Sequence, residues 1–283
     1  MDDYPANYIN MPVLGVSQGE NNLMAFNPNQ SYRTVQAGYA AANSAALDAG
    51  LRAYMLRVYN WMASGLVLTG LIAYAVANTA LINLFYHQVQ TQQGVLVMQP
   101  TLLGYVAIFL PLVFVMVLSF GINKLSTANA QALFWGFCAA MGLSLANIFL
   151  IYTAVSIAAV FFITAGMFAG TSLYGYVTGR DLTSWGSFLF MGLIGILIAM
   201  VVNMFLKSPA LYYAVSFIGV FIFLGLTAYD TQRIKTGYIQ LGSSYGVEMA
   251  SKRSVYDALT LYLNFINLFM FLLQLFGQRS GQR

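Results

Sequence analysis

The protein has 283 residues, of which only 8 are acidic and 12 are Lys or Arg, so that 7% of the chain is charged and 59% is hydrophobic. A soluble domain carries about 25% charged residues because its surface must face water. This composition excludes a soluble enzyme and predicts a protein embedded in a lipid bilayer.

Long stretches without charge predict the membrane-spanning helices. No Asp, Glu, Lys or Arg occurs in the 66 residues after Arg57 or in the 55 residues after Lys124, and shorter gaps of 25, 22 and 21 residues cover 182–206, 208–229 and 258–278. One span needs roughly 20 apolar residues, so each long gap holds two helices and each short gap holds one. The apolar runs are continuous, whereas the strands of a membrane barrel would alternate. The sequence therefore predicts an all-α membrane protein with seven transmembrane helices near 58–80, 101–121, 131–152, 156–178, 184–206, 209–229 and 257–277.

The remaining segments are polar. Residues 1–50, rich in Asn, Ala, Gln and Ser, are expected to form a disordered N-terminal tail, and residues 278–283 a short basic C-terminal tail. The membrane domain accordingly covers 51–277. Within it, the Gln-rich segment 88–100 is expected to be a loop. The segment 231–256, with five charged residues and three glycines, is expected to be a solvated connector.

The distribution of Lys and Arg predicts the orientation. With seven spans, nine basic residues lie on the N-terminal side of the membrane and three on the other side. Because cytoplasmic loops carry the excess of Lys and Arg, the N-terminus is predicted to be cytoplasmic. The net charge of +4 is then a matter of topology, and no nucleic-acid partner is expected.

Small residues at every fourth position predict close helix packing. Gly166 and Gly170 form a G-x-x-x-G pattern, and Gly136, Ala140 and Ser144 continue the same spacing on another helix. Such residues let two helix backbones approach each other in the membrane.

Asp230 is an ionisable residue at the end of the sixth apolar run. Charged groups inside a membrane are costly, and a buried one is a functional candidate by default. The alternative is a helix-end carboxylate at the interface that pairs with Arg233 or Lys235.

The predicted seventh helix carries a polar stripe. Steps of three and four residues place one set of side chains on a single helix face: Asp257, Thr260, Asn264, Asn267, Phe271 and Gln274. A polar stripe cannot face lipid, so this helix is predicted to lie centrally among the others. Hydrogen-bonded packing and a polar pathway both explain the stripe.

Two segments resemble the signature region of the Bax inhibitor-1 family, and their sequences are most similar to those of its bacterial branch. They are Ala-Tyr-Asp-Thr-Gln-Arg-Ile-Lys at 228–235 and Ala-Leu-Thr-Leu-Tyr-Leu-Asn-Phe-Ile-Asn-Leu-Phe at 258–269, followed by Leu-Leu-Gln-Leu-Phe-Gly up to Gly277. The resemblance implies an integral protein of the bacterial inner membrane whose last helix is surrounded by the other six.

The resemblance also implies a pH-sensitive calcium leak governed by a pair of aspartates on the last two helices. The first matches Asp230, but the second falls at Asn264, and the arginine that some members carry on the second helix is missing. Two ionised carboxylates repel, whereas Asp and Asn do not, so we expect a single-site pH response at lower pH than in members with two aspartates.

The sequence thus predicts a calcium or cation leak channel with an ion pathway or pH sensor at Asp230, Asn264 and Asn267. Asp257, Thr260 and Arg233 are possible secondary contacts. Calcium prefers 6–8 oxygen ligands, so Asp230 is expected to bind it weakly and transiently at most. No cofactor and no enzymatic activity are expected. The alternative is a non-conducting regulator that acts on a partner such as a membrane-bound protease.

Overall fold

The structure is a computed structural model that describes the chain in four stretches, 28–90, 96–121, 125–241 and 247–280. Of the two predicted tails, residues 1–27 and 281–283 lie outside the described residues, and the first helix begins at Pro28. The residues from Ala46 onward form a compact unit of their own.

Helices dominate the described residues. In chain order the elements are α1 (Pro28–Ala77), α2 (Ile82–Phe85), β1 (Tyr86–Gln90), β2 (Leu96–Pro100), α3 (Leu102–Gly121), α4 (Thr127–Leu145), α5 (Ile148–Ile151), α6 (Ala154–Val177), α7 (Thr183–Leu206), α8 (Pro209–Leu241) and α9 (Val247–Phe276).

Six helical segments of the described chain are long and apolar enough to cross a membrane. They are Ala46–Ala77 of α1, Thr127–Ile151 of α4 and α5, α6, α7, Pro209–Gln240 of α8 and Met249–Phe276 of α9. The prediction of a helical membrane protein is confirmed. The helix α3 is also apolar, but its described side chains cover only Leu102–Leu118.

The prediction of a connector over 231–256 is wrong, because α8 continues to Leu241 and α9 already begins at Val247. The reason is a buried stripe beyond the apolar run. Thr231 and Ile234 are buried and Tyr238 is half-buried, at the spacing of one helix face. Tyr238 stacks on Tyr54 of α1 at 4.9 Å between ring centroids. Asp230 therefore lies inside a helix and not at its end.

The segment predicted as a loop at 88–100 contains part of a β-hairpin. The strands β1 and β2 pair antiparallel, with Tyr86 opposite Pro100 and Val89 opposite Val97. The backbone N–H of Thr101 donates to the carbonyl oxygen of Phe85 at 2.9 Å and closes the hairpin onto α3.

The last helix, α9, is the most buried of the six membrane-length segments. In its most apolar window 61% of the residues are buried, against 11% to 44% in the other five. It packs on α4, α6 and α8. Its C-terminal end is tied to the start of α6, because the N–H of Gln278 donates to Ser156 Oγ and the N–H of Thr153 donates to the carbonyl oxygen of Gln278.

The close approach of helices occurs at Gly175 and not at the predicted G-x-x-x-G. A Cβ at Gly166 or Gly170 would meet no atom within 4 Å, so that part of the prediction is wrong. A Cβ at Gly175 would overlap the carbonyl group of Ala228, which brings the backbones of α6 and α8 together. The pattern marks a face that a helix can approach, but a second helix must be present to use it. At Gly136 the expected packing is found, since the ring of Phe114 covers it.

Gly175 and Gly166, both in α6, make a matched pair for a stability test. We expect Gly175→Ala to lower the free energy of unfolding by about 1–3 kcal/mol, because α6 and α8 must separate to admit the methyl group. Gly166→Ala has open space and removes the helix penalty of glycine, about 1 kcal/mol, so it should not destabilise. Unfolding by SDS in mixed micelles, followed by circular dichroism, measures both. Equal effects of the two variants would contradict the assigned contact.

Candidate functional site

The carboxylate of Asp230 is buried between α8 and α9, with 5% of the residue exposed. Its Oδ2 accepts a hydrogen bond from Asn264 Nδ2 at 2.7 Å. Its Oδ1 lies 3.0 Å from a guanidinium nitrogen of Arg233. A buried charge is tolerated only when it is paired and hydrogen-bonded, and both oxygens of Asp230 meet that condition.

Arg233 reaches Asp230 because residues three apart share a helix face. Its side chain is 51% exposed, whereas that of Asp230 is 8% exposed, so the pair joins a buried group to an open one. The exposed part of Arg233 lines a polar cleft of about 570 Å³ between the α6–α7 turn and α8.

The cleft carries charges of both signs. Arg180, Arg233 and Arg253 line it together with Asp181. The hydroxyl and the backbone N–H of Thr183 donate to Asp181 Oδ1 at 2.6 and 2.9 Å. These bonds lower the pKa of Asp181, because they favour the ionised carboxylate. Asp181 is therefore charged at neutral pH and offsets part of the positive charge.

The predicted polar stripe of α9 breaks into separate contacts. Asn264 reaches Asp230, but Asn267 Nδ2 donates to the carbonyl oxygen of Leu263 in its own helix, and Thr260 Oγ1 does the same to Tyr256. Further along, Gln274 Oε1 accepts from Ser216 Oγ of α8 at 2.7 Å. The structure therefore brings Asp230, Arg233 and Asn264 together, and leaves Asn267 and Thr260 with local bonds.

Asp257 forms a second buried acidic site. Its Oδ2 accepts from the hydroxyl of Tyr54 in α1 at 2.6 Å and lies 3.8 Å from Arg253 Nε. Asp257 precedes Asn264 by two helical turns, about 10 Å along α9. Tyr54 is a contact that sequence reasoning missed, because no pattern links a residue of the first helix to one 203 positions away.

Hydroxyl groups link three helices beside Asp230. Tyr59 and Ser172 are 2.6 Å apart, Ser172 and Thr231 are 2.9 Å apart, and Thr231 donates to the carbonyl oxygen of Thr227 at 2.8 Å. Each hydroxyl has one proton, so the bonds must run from Tyr59 to Ser172 to Thr231. This series of hydrogen bonds holds α1, α6 and α8 in register.

Two phenylalanine rings separate the polar contacts along the α8–α9 interface. Phe271 of α9 packs on Gly219, where a Cβ would lie 2.7 Å from the ring, and its centroid is 5.8 Å from that of Phe223. In both helices these residues fall between the Asp230–Asn264 contact and the Ser216–Gln274 contact. The interface therefore has packed aromatic rings between two hydrogen-bonded sites, and the polar side chains of Thr227 and Asn267 in the same stretch bond their own helices.

The described residues hold no group of three or more His, Cys, Asp or Glu side chains that could bind a metal ion together. A cation at Asp230 would find one carboxylate, and its other oxygens would come from amides and hydroxyls. Calcium sites of high affinity use more oxygen ligands than that.

Comparison with known proteins identifies the family. A family model described as inhibitor of apoptosis-promoting Bax1 matches residues 51–281. The chain belongs to the Bax inhibitor-1 family. The resemblance drawn from the motifs at 228–235 and 258–277 is thus confirmed, and the match leaves residues 1–50 outside it.

Bacterial relatives cover most of the chain. The inner membrane protein YbhL of Escherichia coli K12 is 48% identical over 233 residues, which is 82% of this chain and 94% of the relative. The uncharacterised protein RP147 of Rickettsia prowazekii is 45% identical over 82% of this chain and 92% of its own length. An uncharacterised protein of Caulobacter vibrioides is 46% identical over 82% and 90%. The chain is therefore similar to an inner membrane protein of bacteria.

Asn264 and Asn267 lie on one face of α9, but only Asn264 bonds Asp230, so variants of the two residues measure what that bond contributes to stability. We expect Asn264→Ala to lower the free energy of unfolding by about 1–3 kcal/mol, because Asp230 loses a donor in a buried site. Asn267→Ala is the control, since its amide bonds only its own helix, and we expect a change within about 0.5 kcal/mol. Unfolding by SDS measures both variants. If Asn267→Ala costs as much as Asn264→Ala, the bond to Asp230 contributes no specific stability.

Proposed function

We propose that this Bax inhibitor-1 protein is a passive, pH-responsive leak channel for calcium, in which Asp230 is the group that meets the ion and the proton. The observation that carries the proposal is the carboxylate of Asp230, which is 5% exposed inside a membrane helix. Its partners are Arg233 and Asn264, and the carboxylate could exchange a partner for a cation or a proton. Such intramembrane carboxylates mark ion and proton pathways.

The proposal includes seven spans with a cytoplasmic N-terminus and a central α9. The 20 residues of α3 rise about 30 Å, the thickness of the hydrocarbon core. Most of α9 lies against α8, from Arg253 beside Gly237 to Gln274 beside Ser216, which supports a full crossing by the last helix. The excess of basic residues on the N-terminal side supports the orientation.

In this arrangement the pathway is closed on both sides of Asp230. Towards the cleft, Arg233 lies against Oδ1 and Asn264 donates to Oδ2, so a cation would meet a guanidinium charge at one oxygen and an amide hydrogen at the other. Away from the cleft, Phe223 and Phe271 fill the space between α8 and α9. Opening requires Arg233 to leave Asp230 and the two rings to part.

A single carboxylate suits a leak. Calcium takes 6–8 oxygen ligands in a tight site, and one carboxylate with neutral oxygens binds it only weakly and for a short time. Conduction needs an ion to enter and also to leave, so weak binding favours it.

Calcium flux into proteoliposomes between pH 5 and 8 tests the proposal. We expect wild type to conduct with a pH-dependent rate and Asp230→Asn to lose that dependence, because its titrating group is gone. Asn264→Asp should give a steeper response, with its midpoint at higher pH than in wild type, since two carboxylates in contact share a proton.

Asn267→Asp is the matched control, because it adds the same charge one turn away without contact to Asp230. If it steepens the response as much as Asn264→Asp does, the effect is one of general charge. If wild type matches empty liposomes, the leak is refuted and the alternative of a regulator of a membrane-bound protease takes its place.

The apolar segment of the α8–α9 interface makes a second prediction. We expect Phe271→Ala to raise the calcium leak at every pH, because it removes the ring that fills the space beside Gly219. Phe276→Ala is the control on the same helix, since that ring is 65% exposed. Flux measured at equal amounts of folded protein in the vesicles compares them. An unchanged leak in Phe271→Ala would show that this ring is not a barrier to calcium.

A further inference from the structure

A long apolar groove runs between α1 and α6 and has a volume of about 650 Å³. One wall is the stripe of α1 from Arg52 to Val67, and the other is the stripe of α6 from Phe161 to Tyr176. Phe265 of α9 closes its floor. The groove is separate from the Asp230 site, none of whose three residues lines it.

The length of the groove fits one lipid chain. Each wall spans 16 residues of helix, whose 15 steps correspond to about 22 Å. One leaflet contributes half of a hydrocarbon core of about 30 Å. The two hydroxyl groups between the ends of the walls are already paired, because Tyr59 and Ser172 bond to each other at 2.6 Å. An acyl chain could lie along this groove without breaking that bond.

The two walls run in opposite directions, so Arg52 and Tyr176 share one end of the groove. The helix α1 runs parallel to α9, since Tyr54 meets Asp257 and Thr69 meets Tyr262. The helix α6 runs antiparallel to α9. Phe168 meets Phe265 and Phe161 meets Phe269, while Ser156 meets Gln278.

The Arg52 end of the groove is positively charged. Arg52 itself is exposed there, and Lys235 of α8 reaches the same end, where its ammonium group donates to the carbonyl oxygen of Tyr176 at 2.7 Å. An ammonium group has three N–H donors, and Tyr176 uses one. Asp48 lies one turn before Arg52 on α1 and opposes an anion. The two cations outnumber it, and basic pockets between membrane helices attract anionic headgroups.

A second groove of similar volume lacks the positive charge found at the Arg52 end of the first. Between α7 and α8 lies a groove of about 670 Å³, bounded by residues such as Trp185, Leu189, Ile218 and Phe221. No charged residue is among those that line it. It can take an acyl chain as well, but it has nothing to select the headgroup.

We propose that the groove between α1 and α6 binds one anionic phospholipid, with an acyl chain between the two helices and the phosphate at Arg52 and Lys235. The site selects the lipid by the charge of its headgroup and holds it by the apolar walls. It lies at the end of the bundle that carries most of the basic residues, where the cytoplasmic leaflet is placed by the proposed topology.

Native mass spectrometry of the full-length protein in detergent tests the site, with phosphatidylglycerol and phosphatidylcholine added in separate titrations. We expect wild type to bind one phosphatidylglycerol more tightly than phosphatidylcholine. Arg52→Gln should weaken that binding about five-fold, in line with one basic residue at an anionic surface. Arg57→Gln is the matched control, an exposed arginine of α1 outside the groove, and should leave the binding unchanged.

A second pair of variants tests the acyl chain. Ala169→Phe places a ring in the groove and should abolish the tight site for phosphatidylglycerol, whereas Ala159→Phe adds the same ring at an exposed position of α6 outside it. Equal binding of the two lipids by wild type would overturn the proposal, and so would equal effects of Arg52→Gln and Arg57→Gln. Competition by glycerol phosphate or by oleate at the same concentration as phosphatidylglycerol would overturn it in favour of a headgroup site or a fatty-acid site.

Discussion

The fold depends on one costly group, the carboxylate of Asp230 inside a helix bundle that lipid surrounds. A charge in the hydrocarbon region must be paired, and the free energy of leaving it unpaired exceeds that of most single contacts. Arg233 supplies the charge from one turn along α8, and Asn264 supplies a hydrogen bond from α9. The two last helices are therefore joined by a polar contact in a medium where apolar contact alone gives little preference.

The same constraint explains why α9 is the most buried of the long helices. Asn264 and Asp257 each need a partner from another helix, and they find it in α8 and α1. Ser172 serves α6 in the same manner, since it joins Tyr59 to Thr231. Side-chain hydrogen bonds thus set the register of the bundle, while close contacts such as Gly175 on α8 set its spacing.

The sequence predicts well what one segment decides by itself. Gaps between charges gave the helical class and the place of most spans, and the stripe on α9 pointed to the burial of Asn264. What depends on a second segment was missed. The bond of Tyr54 to Asp257 joins residues that no spacing relates, and Gly166 has the right pattern without a neighbour. Asn267 shares the face of Asn264 but donates to the carbonyl oxygen of Leu263 in its own helix.

Asn264 stands where the family resemblance implies a second aspartate, and in the proposed channel this would change which contact a proton affects. The Asn264 amide donates to Asp230 whether the carboxyl group is ionised or protonated, so the bond between α8 and α9 survives titration. The attraction of Arg233 needs the negative charge and is lost when Asp230 takes up a proton. In a channel with two aspartates, titration changes the force between two helices. Here it would release an arginine of the same helix into the polar cleft and leave the α8–α9 contact in place. A proton would then remove the barrier at Arg233 and leave the second barrier, the rings of Phe223 and Phe271, unchanged.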